Sequence, residues 1–259
     1  MRLFMRTLKI LGLLVGALLL TLGILIALTF SGGLPIKDGQ RLDGVEVVKD
    51  GFVSSFIVDI NDKNVILIDA GNDRQAKPIL AALGRRNLGA TAVRAILLTH
   101  GDRDHTAGVL AFPDAQVMAL ATEVGLVEGR EARGVSKWVG SPHPNGIHVA
   151  RTLADGEYFA ISTLGIRVFA VPGHTKGSAA FLMDNVLFMG DSAEATKDGK
   201  LAPGKRLFTE SPAQNRASLR ALAKRLVPYA AEIKAIAPAH SGILTAGLGP
   251  LTEFAAKRE

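Results

Sequence analysis

Four potential metal ligands fall within six residues in the segment Leu97-Leu98-Thr99-His100-Gly101-Asp102-Arg103-Asp104-His105-Thr106. Imidazole and carboxylate side chains suit divalent zinc, iron or manganese. A loop leaving the end of an apolar strand lets neighbouring side chains converge, which a regular strand, with its alternating faces, does not. Taken alone, such a Gly/Asp-rich stretch could also be a solvated turn. Three further segments repeat the layout of an apolar strand ending in a ligand type: Val168 to Gly173 before His174, Val186 to Gly190 before Asp191, and Ile233 to Ala239 before His240. Four of the six histidines lie at such ends, so convergence at one sheet edge is the expectation.

The elements that must hold these residues read as follows. Val45 to Val48 and Phe52 to Ile60 are strands by their β-branched content, and Asn61-Asp62-Lys63-Asn64 turns into a third strand, Val65 to Ile68. Arg74 to Leu83 has helical periodicity, Ala92 to Leu98 is a buried strand, and Thr106 to Phe112 is a short helix. A strand at Gln116 to Ala119, a helix from Thr122, strands at Ile166 to Val171 and Val186 to Met189, and a helix from Ala213 to Leu226 complete the outline. This mixed order fits an α+β or layered α/β domain.

In this order the segments resemble the five motifs of the metallo-β-lactamase superfamily, and the resemblance runs from about Val45 to Leu244. Leu67-Ile68-Asp69-Ala70-Gly71 is similar to the first motif and His100 to His105 to the H-x-H-x-D-H element. Pro172-Gly173-His174-Thr175-Lys176-Gly177-Ser178, Phe188-Met189-Gly190-Asp191 and Pro238-Ala239-His240 are similar to the third, fourth and fifth.

The resemblance implies an α/β fold, a four-layer αβ/βα sandwich of two mixed sheets faced by helices, with the site at one edge. It also implies two divalent metal ions, zinc first, with iron or manganese as alternatives. His100, Asp102 and His174 would hold one ion and Asp104, His105 and His240 the other, with Asp191 bridging both and Asp69 orienting ligands through hydrogen bonds. A metal-bridging hydroxide would attack the substrate, and Asp104 would position it and carry its proton. Asp102 departs from the pattern, because a histidine is usual there; a hard oxygen ligand shifts preference toward iron or manganese.

Within that family the bridging-type Asp191 and the absence of cysteine point to the glyoxalase II and lactonase branch. The expected reaction is therefore hydrolysis of an ester, thioester or lactone in a small-molecule substrate. The alternatives are a phosphodiesterase on the same cage, a non-catalytic metal-binding or sensing domain, and an oxygen-using iron enzyme. Ser192 lacks the second glycine of a G-x-S-x-G elbow and is an ordinary loop serine. Gly242 to Gly249 contains no nucleotide-binding pattern and reads as turns. Arg130, Arg133, Lys137, Trp138, His143 and His148 lie between the second and third motifs, where they read either as substrate-covering loop or as basic surface with one packed Trp.

The remaining sequence sets the context. The 259 residues carry a net charge of +6 scattered without a basic run, so no nucleic-acid partner is expected. With no cysteine, disulfides, thiolate ligands and a cysteine nucleophile are excluded. Ile10 to Ile36 contains no charged residue, and Ile10 to Thr29 is long enough as a helix to span a bilayer. Residues 1–33 are thus expected to be a membrane anchor or signal segment, with an anchor favoured by the length of the apolar run, and residues 34–259 the catalytic domain. Arg2, Arg6 and Lys9 before the span place the amino terminus in the cytoplasm and the catalytic domain on the outer, periplasmic or extracellular side.

Overall fold

The computed structural model describes Lys9, residues 12–21, Gly23, residues 32–133 and residues 142–257. The chain divides into two units, Met1–Gly33 and Leu34–Glu259. In the first, residues 12–21 are helical with exposed side chains. Among the described residues no helix is long and apolar enough to cross a membrane, so the transmembrane helix expected at Ile10 to Thr29 has no support there. Residues 10, 11, 22 and 24–29 of that span lie outside the described residues.

In the second unit, β1 (Arg41–Leu42), β2 (Val45–Asp50), β3 (Val53–Asn61) and β4 (Asn64–Ile68) form an antiparallel meander. The Asn61 side chain sets the β3–β4 turn by accepting from the backbone N–H groups of Lys63 and Asn64, both at 3.0 Å. The sheet then continues in parallel through β5 (Val93–Leu97), β6 (Gln116–Leu120) and β7 (Arg151–Leu153). A second sheet contains β8 (Tyr158–Ile161), β9 (Leu164–Ala170), β10 (Ala179–Met183), β11 (Val186–Gly190) and β14 (Ala235–Pro238), in the order β14-β11-β10-β9-β8. A small hairpin of β12 (Ala193–Ala195) and β13 (Leu201–Pro203) lies between β11 and β14 in sequence.

The period-two alternation of the strands explains the layering. Ile66 and Ile68 of β4 join Phe56, Leu97 and Met118 in a core shared with Val168, Phe181 and Phe188 of the second sheet, where the Phe56 and Phe188 rings meet edge-on at 5.1 Å. Val65 and Leu67 point the other way, onto Ile79 and Leu83 of the helix Lys77–Gly84. On the far side of the second sheet, Leu182, Leu187 and Ile236 pack against Leu219 and Leu222 of the helix Pro212–Arg225 and Leu251 and Phe254 of the helix Gly249–Ala256. The four layers expected from the resemblance are therefore present, helix on sheet on sheet on helix.

Several elements differ from the sequence reading. The helix expected from Arg74 begins at Lys77, because Pro78 suits only a first turn. Thr106 to Phe112 is not one helix. A single turn at Arg103–Thr106 is followed by a 3-10 turn at Val109–Ala111, and Gly108 between them lies so close to Ala70 that an added Cβ would stand 2.3 Å from its carbonyl oxygen. The helix expected from Thr122 shrinks to Val124–Val127 after a 3-10 turn. Residues expected as turns at the carboxyl end give way at Gly249 to a helix that covers the second sheet.

Candidate metal centre

The proposed ligands follow the carboxyl ends of β5, β9, β11 and β14, and Asp69 follows β4. The two sheets thus bring their strand ends to one edge, and all seven sequence-predicted ligand residues meet there. His100, His174 and Asp191 form one cluster and Asp104, His105 and His240 a second; within each, one ligand atom per residue lies within 4.8 Å of the others. Asp191 touches both: its Oδ1 lies 3.1 Å from His105 Nε2, and its Oδ2 lies 3.1 Å from His240 Nε2 and 3.5 Å from His174 Nε2.

The orientation of each ring is fixed from behind. Asp69, fully buried, accepts from Thr99 N at 2.7 Å and Thr99 Oγ1 at 2.8 Å, and takes the Nδ1–H of His105 at 2.8 Å. Since the Thr99 hydroxyl proton goes to Asp69, its oxygen can only accept from His100 Nδ1–H, 3.0 Å away. Thr209 Oγ1 likewise spends its proton on Lys205 O and faces His174 Nδ1 at 3.5 Å. His240 Nδ1–H donates to Phe52 O at 3.0 Å, and the two rings stack at 5.7 Å. All four imidazoles are therefore tied at Nδ1 and present Nε2 to the centre, the arrangement in which an outer hydrogen bond selects the ligating nitrogen.

His100 Nε2, His105 Nε2 and Asp191 Oδ1 are buried with no hydrogen-bond partner. Burying such groups costs about 1–3 kcal/mol each unless something satisfies them. A divalent cation in each cluster would satisfy these atoms, so the chemistry of the residues fits the ions that the resemblance implies. The second cluster fits without reservation. In the first, His100, His174 and Asp191 converge and Asp102 Oδ2 lies 3.4 Å from His100 Nε2 and 3.3 Å from His174 Nε2, but Asp102 is also engaged by Arg133, whose Nε lies 2.5 Å from Oδ1 and whose Nη2 meets Oδ2.

The charges reinforce one another. Burial opposes charge on His240, but Asp191 and the hydrogen bond with Asp104 outweigh it and lift the imidazole to about 10. Burial likewise opposes charge on His105, yet Asp191 and Asp69 hold it well above the ordinary histidine value. His174 goes down, chiefly through burial. Asp191 is held well below the usual carboxylate range, because the three histidines around it overcome the cost of burial. Asp102 is lowered too, burial being outweighed by Arg133, His100 and His174.

Two residues in the centre escape the sequence reading. Arg133 reads there only as one of several basic loop residues. Glu123 has no motif around it; buried directly after β6, it accepts from Gly101 N with Oε1 and Gly177 N with Oε2, both at 2.8 Å, tying the His100 loop to the His174 loop. An added Cβ at Gly177 would stand 2.6 Å from Glu123 Oε2, which is why glycine is required at that approach. Of the other loop residues, Arg130 pairs with Glu128 on the surface, His143 is exposed, and His148 lies 3.4 Å from Glu128; none belongs to either cluster. Lys137 and Trp138 lie outside the described residues. Ser192, buried, donates to Val171 O and takes no part in the cage.

Known proteins resemble the chain in family and in fold. A family model described as the metallo-β-lactamase superfamily matches residues 48–240. The hydroxyacylglutathione hydrolase of Shewanella sp. (strain ANA-3) is 31% identical over 161 residues, 61% of this chain and 52% of that protein. Its counterpart from Aeromonas hydrophila is 30% identical over 167 residues, covering 63% and 53%. The chain thus spans about half the length of the curated relatives it matches. Among solved structures, a B3 metallo-β-lactamase with an active-site glutamic acid superposes with a TM-score of 0.63 at 20% identity over 90% of each chain. A metallo-β-lactamase family protein from Thermus thermophilus gives 0.61 at 24% identity, covering 83% of this chain and 79% of the other. At these identities the structural likeness bears on the fold alone.

Proposed function

The chain belongs to the metallo-β-lactamase superfamily, its family match spanning residues 48–240, and from that premise we propose that it is a metal-dependent hydrolase of ester, thioester or lactone bonds. The observation that carries the reading is the set of four imidazoles turned Nε2-inward around the shared carboxylate of Asp191. The names of the hydroxyacylglutathione hydrolases support a thioester within that class.

Asp104, His105, His240 and Asp191 would hold one divalent ion, and His100, His174 and Asp191 a second, with zinc the first candidate and iron or manganese the alternatives. Bound there, such an ion supplies Lewis acidity, activating water near neutral pH and polarising the scissile carbonyl. The chain's own residues do the rest. Asp69 and Thr99 hold His105 and His100 in one tautomer. Asp104 turns Oδ2 toward His240 Nε2 at 3.3 Å and keeps 23% of its side chain exposed, which suits it to take a proton from the site and pass it to solvent. No side-chain nucleophile is required.

The test is turnover of a panel of acyl thioesters, aryl esters, lactones and phosphodiesters before and after chelation. Chelator-sensitive cleavage of one of the first three supports the reading; cleavage of phosphodiesters alone refutes it in favour of the phosphoryl chemistry. We also propose that residues 1–33 tether the hydrolase to a membrane with the catalytic unit on the outer face, a reading that rests on the uncharged run Ile10 to Ile36 and the preceding Arg2, Arg6 and Lys9. The full chain should then sediment with membranes and resist carbonate extraction, and release by carbonate would refute it.

A further inference from the structure

The two halves of the cage are chemically unequal. In the second, Asp104, His105 and His240 face one another and Asp191. In the first, Arg133 reaches in with 14% of its side chain exposed. Its Nε and Nη2 fork onto the two oxygens of Asp102, and Nη2 also lies 2.8 Å from His174 Nε2. Its Nη1 donates to the backbone carbonyls of His174 at 3.2 Å and Phe208 at 2.9 Å. These contacts match the five N–H groups of a guanidinium, which stays protonated in proteins.

His174 has its Nδ1 facing Thr209 Oγ1, so the atom that accepts from Arg133 is the lone pair on Nε2. That lone pair is the one the first cluster would offer to a metal ion. The guanidinium therefore competes with a divalent cation for His174 Nε2 and for the Asp102 carboxylate together. It is anchored from behind by two backbone carbonyls, so the contact belongs to a built socket rather than to a side chain lying across an opening.

We propose that Arg133 takes the Asp102 and His174 side of the first half of the cage as a built-in monovalent cation, so that the chain binds one divalent ion tightly at Asp104, His105, His240 and Asp191 and a second only weakly. This rests on the metal-dependent reading above, and it narrows that reading to an enzyme whose working form carries a single tightly held ion. A second ion at His100, His174 and Asp191 must first displace Arg133 from His174 and leave the fork on Asp102 distorted or broken. Losing two charge-assisted hydrogen bonds separates the two binding steps by on the order of 100-fold. Asp102, the departure from the usual histidine, is then the partner that holds Arg133 in place rather than a hard ligand for the first ion.

The experiment is a zinc titration of the chelator-stripped full chain against a chromophoric competitor, repeated with cobalt(II) so that the visible absorption follows each ion. Wild type is expected to show one tight step and a second weaker by about 100-fold. Arg133→Met, which keeps length and loses the charge, is expected to tighten the second step by at least tenfold while leaving the first unchanged. Arg133→Lys, which keeps the charge and loses the fork, is expected to fall between them, and it serves if the methionine variant fails to fold. Two equally tight ions in wild type, or a second step unmoved in folded Arg133→Met, overturns the proposal while leaving the metal-dependent hydrolase standing. Absence of any bound ion in wild type and variants alike overturns both.

Discussion

Replacing Asp69 with asparagine changes one atom and should disable the cage from behind. Asp69 occupies a left-handed backbone conformation, φ 57°, which asparagine tolerates, so the backbone is not the source of the effect. As a carboxylate it accepts from Thr99 N, Thr99 Oγ1 and His105 Nδ1. An asparagine can keep its oxygen on Thr99 N, but its NH2 then faces Thr99 Oγ1 and His105 Nδ1, and two donors meet. His105 escapes by giving up Nδ1–H and keeping its proton on Nε2, the nitrogen 3.1 Å from Asp191 Oδ1 and the one a metal needs. The lost charge-assisted bonds are worth about 1.5–3 kcal/mol each before rearrangement. Changes to outer partners of this kind lower metal affinity by about 10–100-fold, equivalent to roughly 1.4–2.7 kcal/mol. Competition against a chromophoric chelator reads the affinity, and urea unfolding of the metal-free protein reads the stability. An Asp69→Asn variant that binds zinc within about twofold of wild type would refute the tautomer argument, since no alternative acceptor for His105 Nδ1–H would then be needed.

Metal uptake at pH 7.5 should release roughly one to two protons per chain, because His105 and His240 are both held above the ordinary histidine value and must lose Nε2–H to ligate. Calorimetry in buffers of different ionisation enthalpy measures this, and zero release would contradict the assigned charges. In the metal-free protein the raised value of His240 stabilises the fold fully below about pH 6.5, and that contribution disappears as pH rises through about 10. Gly190→Ala should cost about 1–3 kcal/mol from its φ of +50° alone. Its Cβ would also stand 2.4 Å from Thr99 Oγ1, so metal affinity should fall with stability; a variant as stable as wild type in urea would show that the approach of these two loops is looser than described. Glu123→Gln should lose about 1–3 kcal/mol, because its NH2 cannot accept from either Gly101 N or Gly177 N, while its remaining oxygen serves only one of them. Unchanged thermal unfolding would show that Glu123 does not clamp the two loops together.

The cage was legible because each proposed ligand lies in the segment that leaves the end of an apolar strand, and the spacing of His100 to His105 is local information. The αβ/βα layering was legible through resemblance, and through alternation in strands such as Val65 to Ile68, whose two faces meet different cores. Ala179–Met183 went unread as β10 because all five residues are buried and no polar alternation marks them. Arg133 and Glu123 were not legible as parts of the centre, since their partners lie 31 and 22 residues or more away and only the folded chain joins them. Asp102 shows the same limit: its place in the motif suggests a metal ligand and its Oδ2 does lie 3.4 Å from His100 Nε2 and 3.3 Å from His174 Nε2, but no local pattern supplies the guanidinium that also grips it.

On the reading proposed above, this cage holds a divalent ion on which hydrolysis depends. Elemental analysis of the gently purified full chain, paired with acyl-thioester and ester turnover before chelation, after chelation and after zinc is restored, tests it most directly. The expected result is at least one tightly bound divalent ion per chain, loss of turnover on chelation and its return with metal. A folded, metal-free protein that cleaves these substrates equally well with chelator present would contradict it.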